Sequence, residues 1–338
     1  MTLNPLIGWR VDRADIRFVG HDLQRPECIL ATRDGMLYSA DARGGIMAIA
    51  PDGSQQFIGQ KADPRRGSGD FADRYLNTQG TLPNGLTFDA NGDFLIANFG
   101  TDALERMDRA GNTATLLTEL DGKPLGKANF VTRDSKGRLY LTVTTRTNPW
   151  TLAVRDRIAD GYIILLDERG PRIVADGLTG TNELRFDADE RYAYVAETIL
   201  RRISRFRVLE DGSFGPRETY GSEDLGGTPD GIAFDTFGNL WMTFVMGEKL
   251  AALTPNGEVL ILLDDAAPEG SAAYDAASRG EGEMTPEIMA AAKGTIAPWM
   301  ASLTFGGPDL RTVYLGSLQG TRIPWFRSPV AGLPLVYW

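Results

Sequence analysis

The sequence predicts an all-β fold, a six-bladed β-propeller with four-stranded blades around a central channel. One hairpin pattern, a short apolar strand followed by a turn rich in Asp and Gly and by a second strand, occurs six times at intervals of roughly 45–70 residues. Two further strands can be read after most copies, and four short strands per repeat are typical of a propeller blade. The copies occupy residues 26–41, 83–99, 128–143, 181–198, 229–244 and 300–317.

The copies span the chain, so we predict a single domain over residues 1–338, with the strand in "DIRFVG" closing the ring against the last blade. Three connections are long enough to indicate lid-like insertions over one mouth of the channel. They lie at about 60–80, 144–161 and 264–298. In the third, only "TPEIMAAAKG" has helix signals, namely a Thr cap, an early Pro and a final Gly. The small and polar stretch before it is expected to be mobile.

The composition argues against several kinds of partner and several kinds of site. A formal net charge of −10 argues against nucleic acid as a partner. The N-terminal residues contain no apolar run of the length of a signal peptide or membrane span, which favours a cytoplasmic protein without a membrane partner. One cysteine, Cys28, excludes an internal disulfide, and one histidine, His21, excludes a zinc site with several histidines. A small-molecule partner fits best, and nothing in the sequence indicates an oligomeric state.

The first position of the first strand carries a side-chain oxygen in five of the six copies. Innermost strands line the channel of a propeller, so their starts meet at one mouth. Carboxylates that meet there need a cation, and two carboxylates with neutral amides suit a hard ion such as Ca²⁺. The structural alternative is that Asn and Asp merely cap turns at strand starts. The column reads Glu27, Asn84, Asn129, Asn182, Asp230 and Ala301.

Four copies also carry an aspartate five residues after that position. These side chains fall in the hairpin turns, where Asp commonly bonds nearby backbone N–H groups. We therefore assign them a structural role, distinct from that of the first column. They are Asp89, Asp134, Asp187 and Asp235.

Together the motifs "PNGLTFDANGDFLIANFG", "TNELRFDADERYAYVAETILRRISRF" and "PDGIAFDTFGNLWMTF" resemble the SMP-30/gluconolactonase/LRE-like family over roughly residues 24–327. The resemblance implies a six-bladed propeller that holds a divalent metal at the channel mouth and hydrolyses sugar lactones. The implied metal is first of all Ca²⁺, with Zn²⁺, Mn²⁺ or Mg²⁺ as alternatives.

The family's site residues carry over position by position. The resemblance implies metal ligation by Glu27, Asn129, Asn182 and Asp230, with Asp230 also the catalytic base or nucleophile. It implies substrate contacts for Lys127 and Asn129, and we add four further candidates. Three residues beside the implied ligands, Cys28, Phe130 and Glu183, depart from the family's usual pattern, which leaves the substrate open. The added candidates for substrate contact are Asn84, Glu183, Arg146 and Trp150.

We therefore predict a metal-dependent lactonase, in which the metal polarises the lactone carbonyl and Asp230 activates water or attacks directly. Two alternatives keep the fold: a hydrolase of aryl esters or phosphotriesters, and a non-catalytic propeller that binds a ligand or protein, against which the four implied metal ligands argue less strongly. A third is a metal-free enzyme similar to strictosidine synthase, which catalyses a condensation. The presence of all four implied metal ligands argues against the third.

Overall fold

Strand pairing between the two ends of the chain closes a ring of blades. The computed structural model describes residues 3–61 and 80–338. Near the start of this chain, β1 (Arg17–Val19) pairs antiparallel with the last strand, so that Phe18 lies opposite Pro324. Within the described residues six four-stranded antiparallel sheets form a ring, which confirms the predicted six-bladed β-propeller.

The strands of each blade lie side by side in an antiparallel sheet. Around the channel, the first strand of each blade contacts the first strands of the two neighbouring blades. Blade 1 comprises β2 (Ile29–Ala31), β3 (Leu37–Asp41), β4 (Gly45–Ile49) and β5 (Gln55–Gly59). Blade 2 comprises β6 (Pro83–Phe88), β7 (Phe94–Asn98), β8 (Ala103–Met107) and β9 (Thr113–Leu117), and a small hairpin follows, β10 (Glu119–Leu120) with β11 (Lys123–Pro124). Blade 3 comprises β12 (Ala128–Arg133), β13 (Leu139–Val143), β14 (Gly161–Asp167) and β15 (Gly170–Leu178).

The second half of the ring repeats the arrangement. Blade 4 comprises β16 (Thr181–Phe186), β17 (Tyr192–Glu197), β18 (Arg202–Val208) and β19 (Phe214–Tyr220). Blade 5 comprises β20 (Pro229–Phe234), β21 (Leu240–Phe244), β22 (Lys249–Leu253) and β23 (Val259–Asp264). Blade 6 comprises β24 (Met300–Gly306), β25 (Thr312–Ser317), β26 (Ile323–Arg327) and β1.

Helices occur only in the connections of the described chain. A 3-10 turn (Arg13–Asp15) precedes β1, and α1 (Thr151–Asp156) lies between β13 and β14. The connection between blades 5 and 6 holds α2 (Pro268–Ser278) and α3 (Pro286–Ala291). None of these described helices has the length and apolar character that crossing a membrane requires.

The core lies between neighbouring blades, where apolar side chains of adjacent sheets interdigitate. Between blades 5 and 6 the ring centroids of Trp241 and Phe305 are 5.2 Å apart, in an edge-to-face contact. Between blades 1 and 2 the Cys28 side chain packs in a buried cluster with Leu86 and Phe130, so this thiol acts as a small apolar group. Burial on both faces explains why the second strands of the blades, such as Phe94–Asn98 and Leu240–Phe244, are largely apolar.

A β-bulge interrupts the start of the inner strand in blades 2 to 6. The pairing register shifts there, for example between Thr181 and Leu184 in blade 4 and between Pro229 and Ile232 in blade 5. A bulge turns a side chain out of the regular alternation of a strand. The bulges fall on the first column of the repeat and allow those side chains to leave the sheet face.

Two of the bulged positions are followed by a glycine because the inner strands approach each other closely there. A Cβ atom on Gly85 would lie 2.5 Å from Cα of Phe130, and one on Gly231 would lie 2.3 Å from Cα of Ser302. Real Cβ atoms do not come so close to backbone, so only glycine fits without moving a neighbouring strand.

The C-terminal segment covers the end of the channel opposite the starts of the inner strands. Leu333 N donates to Phe234 O at 2.8 Å, and the Tyr337 ring lies edge-on to Phe88 with centroids 5.0 Å apart. This segment encloses a cavity of about 360 Å³ that Arg133 and Arg185 also line. The channel is therefore covered at this end by the chain's own terminus.

The four turn aspartates accept backbone N–H groups within their own hairpins, as an Asx-turn role requires. Asp235 does more than the others. Its Oδ2 also accepts Trp241 Nε1 at 2.8 Å and Asn239 Nδ2 at 2.7 Å, and the carboxylate is completely buried. It therefore ties the hairpin to the buried indole of the next strand.

We expect Asp235→Ala to lower the free energy of unfolding by about 1–3 kcal/mol more than Asp89→Ala, because the former leaves the buried Trp241 Nε1 without an acceptor and removes one of the two acceptors of Asn239 Nδ2. Asp89 is the matched control, since its side chain accepts the Asn91 and Asp93 N–H groups in the same turn of blade 2. Urea denaturation followed by circular dichroism measures both. Equal losses would show that the bonds to Trp241 and Asn239 contribute nothing.

Candidate functional site

The main cavity of interest opens at the end of the channel where the inner strands begin, which we call the front mouth. Its volume is about 430 Å³. Asn129, Asn182 and Asp230 form part of its lining, and they stand at the starts of three successive inner strands. Side chains from α1, from α2 and from the segment around α3 complete the walls.

Four side chains that the sequence analysis grouped together come together here, and we call them the oxygen cluster: Glu27, Asn129, Asn182 and Asp230. Three oxygens of the cluster, Glu27 Oε2, Asn129 Oδ1 and Asn182 Oδ1, are buried and have no hydrogen-bond donor. Glu27 lies beside the cavity rather than in its wall. A buried acceptor without a partner is unfavourable by about 1–3 kcal/mol, so three together indicate a group that the protein alone does not provide.

Electrostatics agree with that reading of the cluster. Burial raises the pKa of Glu27 to about 7, although Arg25 and the Asn84 amide oppose the shift. Burial, together with the charges of Glu27 and Glu183, raises the pKa of Asp230 well above its usual range. Negative charge is therefore concentrated at the front mouth without enough positive charge to balance it, which a cation would relieve.

The chemistry of the donors fits a hard divalent cation. Two carboxylates and two amide oxygens are the ligands that Ca²⁺ prefers, with water completing six to eight oxygens. Across residues 3–61 and 80–338 no group of three or more His, Cys, Asp or Glu side chains is arranged to hold a metal. The fit therefore depends on the amide oxygens of Asn129 and Asn182 as much as on the carboxylates.

Asn84 supports the cluster from outside the cavity. Its Nδ2 donates to Glu27 Oε1 at 3.2 Å and to Asn129 O at 2.9 Å, while its Oδ1 accepts Arg25 Nη2 at 2.5 Å. The side chain does not line the cavity. The structure therefore gives Asn84 the role of orienting Glu27, in place of the predicted substrate contact.

Glu183 lies behind Asp230 and is only 1% exposed. Its Oε2 accepts Ile232 N at 3.2 Å and pairs with Arg185 Nη2 at 3.0 Å, whose guanidinium in turn lies 4.4 Å from the ring centroid of Phe130. Burial raises the pKa of Glu183 to about 7, against the pull of Arg185 and with the Glu27 charge adding to the shift. Glu183 does not line the cavity and so is not placed to contact a substrate there.

Of the other four predicted substrate contacts, Asn129 and Trp150 line the cavity, where the Trp150 ring lies edge-on to Phe99 with centroids 5.6 Å apart. Lys127 lies behind that wall because its Nζ pairs with Asp102 Oδ1 at 2.7 Å and donates to Phe99 O. The Arg146 guanidinium stacks 3.6 Å from the ring centroid of Tyr162, away from the cavity. The ion pair holds Lys127 and the stacking contact holds Arg146, so neither cation lines the cavity as a substrate contact would require.

Arg25 is a site residue that the sequence analysis missed. It is 4% exposed and lowers the pKa of both Glu27 and Asp230 by its charge. The missed signal is its spacing, because Arg25 stands two residues before Glu27 as Lys127 stands two before Asn129. The backbone of Arg25 has a φ of 55°, a left-handed conformation that turns the chain into β2.

The insertion between blades 5 and 6 differs from the sequence prediction. The stretch expected to be mobile forms α2, while the predicted helix is present as α3 with the Thr285 side chain capping it. The reason is Tyr274, whose buried ring brings its hydroxyl to Val245 O at 2.8 Å. The pairing of Arg201 Nη1 with Asp275 Oδ1 at 2.9 Å fixes the helix further.

Both this insertion and α1 of the 144–161 insertion border the front mouth, in the positions expected of lids. Most of the 60–80 insertion lies outside the described residues.

Comparison with known proteins gives a family and a fold. A sequence model described as the SMP-30/Gluconolactonase/LRE-like region matches residues 25–264. The chain is 29% identical over 187 residues to a 6-deoxy-6-sulfogluconolactonase from Pseudomonas putida, which covers 52% of this chain and 54% of that protein. The chain spans about half the length of the curated relatives it matches first.

Solved structures share the fold at low identity. A gluconolactonase from Xanthomonas campestris aligns with a TM-score of 0.66 at 19% identity, covering 95% of this chain and 94% of that one. A calcium-binding regucalcin from Agrobacterium tumefaciens aligns with a TM-score of 0.66 at 14% identity, covering 94% and 96%. The family match covers most of the blades and includes all four members of the oxygen cluster, so this chain belongs to the SMP-30/gluconolactonase/LRE-like family.

Proposed function

We propose that this protein hydrolyses lactones and that a divalent cation held by the oxygen cluster, first of all Ca²⁺, is required. One observation carries the proposal: three buried oxygens without donors stand beside a buried Asp230 at the front mouth of a cavity. Support for the lactone as substrate class comes from the names of the relatives, which include a sulfogluconolactonase and a gluconolactonase.

Glu27, Asn129, Asn182 and Asp230 would hold the cation. When bound, it would polarise the lactone carbonyl and stabilise the negative charge that develops on the carbonyl oxygen. The chain supplies the remaining parts of the chemistry. Asn84 and Arg25 fix Glu27 in place, and Asp230 presents a carboxylate to the cavity.

Asp230 has two routes open to it. As a general base it would take a proton from the water that attacks the carbonyl carbon, and as a nucleophile it would attack that carbon itself and form an acyl intermediate. Its amide neighbour Asn182 hydrogen-bonds the carboxylate and favours its charged form. Both routes need Asp230 ionised, which the positive charge of a cation in the oxygen cluster promotes.

The first expected outcome concerns removal of the metal. Chelation should lower the melting temperature and abolish lactone hydrolysis, and Ca²⁺ should restore both, because a ligand at a hundredfold excess over its Kd stabilises by about 2.7 kcal/mol. Differential scanning calorimetry and a proton-release assay measure the two effects. Full turnover by a sample shown to be metal-free by elemental analysis would contradict the proposal.

The second expected outcome concerns pH. Burial raises the pKa of Glu27 and of Glu183 to about 7 and that of Asp230 well above its usual range, so these carboxyls are largely protonated at pH 6 without metal, and a cation favours the charged forms. Ca²⁺ binding should therefore release at least one proton at pH 6 and fewer at pH 9, and affinity should rise between those values. Calorimetric titration in two buffers with different ionisation enthalpies measures the release. An affinity independent of pH, without proton release, would show that the carboxylates do not bind the ion.

The third expected outcome concerns Asp230→Asn, which keeps an oxygen and the shape but removes the charge. We expect kcat to fall at least ~10²-fold, the usual contribution of a general base, with the fold intact. The metal-free variant should be at least as stable as wild type, because a neutral amide removes repulsion by Glu27 and Glu183. Asp187→Asn, in a hairpin turn of blade 4, is the control and should keep kcat. Near wild-type turnover of Asp230→Asn would place the catalytic role elsewhere.

A further inference from the structure

Much of the lining of the cavity above the oxygen cluster is apolar. From α1 and the residue before it, Trp150, Leu152 and Val154 line the cavity, and Val245, Met289 and Trp299, which pack in one cluster, line another part of it. The volume of about 430 Å³ falls in the range of ~300–1,000 Å³ typical of sites for small organic ligands. A substituent that extends from a lactone bound at the oxygen cluster can therefore contact hydrocarbon and aromatic surfaces.

Four of the hydroxyl groups in the lining already have acceptors within the protein. Each of the four best-defined hydroxyls donates its hydrogen to a backbone carbonyl oxygen of the protein, at 2.6–2.9 Å. None of these hydrogens is left to donate to a substrate. The residues are Thr144, Thr198, Thr228 and Tyr274.

The two arginines in the lining also make contacts within the protein. Arg155 Nε pairs with Asp156 Oδ1 at 2.7 Å, and Arg157 Nη1 donates to Ser278 O at 3.2 Å. Lys127, the residue implied to bind sugar hydroxyls, is paired with Asp102 behind the wall. The Lys127 cation and the four hydroxyls are thus engaged within the protein itself.

These observations bear on the kind of lactone that fits. A sugar lactone carries several hydroxyl groups, and each one that loses water against the apolar part of the lining without gaining a hydrogen-bond partner is penalised. An alkyl or aryl substituent instead gains free energy when it leaves water for such a wall. We propose that the substrate is a lactone bearing an apolar alkyl or aryl substituent, and not a polyhydroxylated sugar lactone.

This inference rests on the proposed lactone hydrolysis and gives its substrate class. In the reaction the oxygen of water bonds to the carbonyl carbon and the ring C–O bond breaks. The ring oxygen becomes a hydroxyl group, the acid ionises, and one proton is released. The substituent takes no part in these steps, so its effect is one of binding in the cavity.

The test compares δ-lactones with the same ring: unsubstituted δ-valerolactone, derivatives with alkyl chains of one to five carbons, and glucono-δ-lactone. With Ca²⁺ present we expect kcat/KM to rise about fourfold for each added methylene until the cavity is full, because burying one CH₂ group contributes ~0.8 kcal/mol. Glucono-δ-lactone should be the poorest substrate. A glucono-δ-lactone value equal to or above that of the pentyl derivative would overturn the inference.

A pair of matched variants tests the wall itself. Leu152→Gln keeps the size of a cavity side chain but adds an amide, and it should lower kcat/KM for the pentyl lactone about tenfold while changing that for δ-valerolactone little. Leu116→Gln makes the same exchange at an exposed position of β9, outside the cavity, and should change neither. Equal effects of Leu152→Gln on both lactones would contradict the assignment.

A binding arm separates this inference from the proposed function. Alkyl-substituted δ-lactams and gluconolactam resemble the lactones but resist hydrolysis, and calorimetry measures their binding to the Ca²⁺-loaded protein. Binding of the alkyl lactam without hydrolysis of any lactone would support the apolar site and refute the hydrolase. Hydrolysis of glucono-δ-lactone with no binding of the alkyl lactam would support the hydrolase and refute the apolar substrate class.

Discussion

The structure depends on a concentration of buried negative charge at the front mouth of the propeller. Glu27 and Asp230 are almost completely buried, and Glu183 lies directly behind them. Burial raises the pKa of all three carboxyls, neighbouring carboxylates raise those of Glu183 and Asp230 further, and the two arginines beside them do not fully offset this. A cation in the oxygen cluster would turn this unfavourable arrangement into a binding site, and the convergence of six inner strands is what produces it.

Much of the fold could be predicted because each blade repeats the same local pattern. Alternating apolar residues and Asp-Gly turns are local signals, and six copies leave little choice of architecture. The first column of oxygens could be found for the same reason. The bulges that turn those side chains toward the channel could not, because they arise when strands of different blades crowd together, as at Gly231 and Ser302.

Local structure and side-chain position could not be predicted where a single long-range contact determines them. The segment of α2 has a weakly amphipathic composition, and its buried Tyr274 finds its partners on Thr228 and Val245, far away in the chain. Lys127 and Arg146 have the charge expected of substrate contacts, but Asp102 and Tyr162 hold them elsewhere. The blades thus fix the position of the oxygen cluster, while side chains of the insertions form much of the cavity wall beside it. The proposed metal site and the proposed apolar substrate class therefore depend on different parts of the chain.

The central claim is that the oxygen cluster binds a divalent cation at the front mouth. Anomalous X-ray diffraction from crystals soaked in Mn²⁺ or a lanthanide, as stand-ins for Ca²⁺, tests it most directly. The account predicts one strong peak within about 2.3–2.6 Å of Glu27 Oε2, Asn129 Oδ1, Asn182 Oδ1 and an Asp230 oxygen. Crystals of Glu27→Gln should show a weaker peak at the same place. Peaks only on the outer surface, with the four side chains arranged as described and no density among them, would contradict the account.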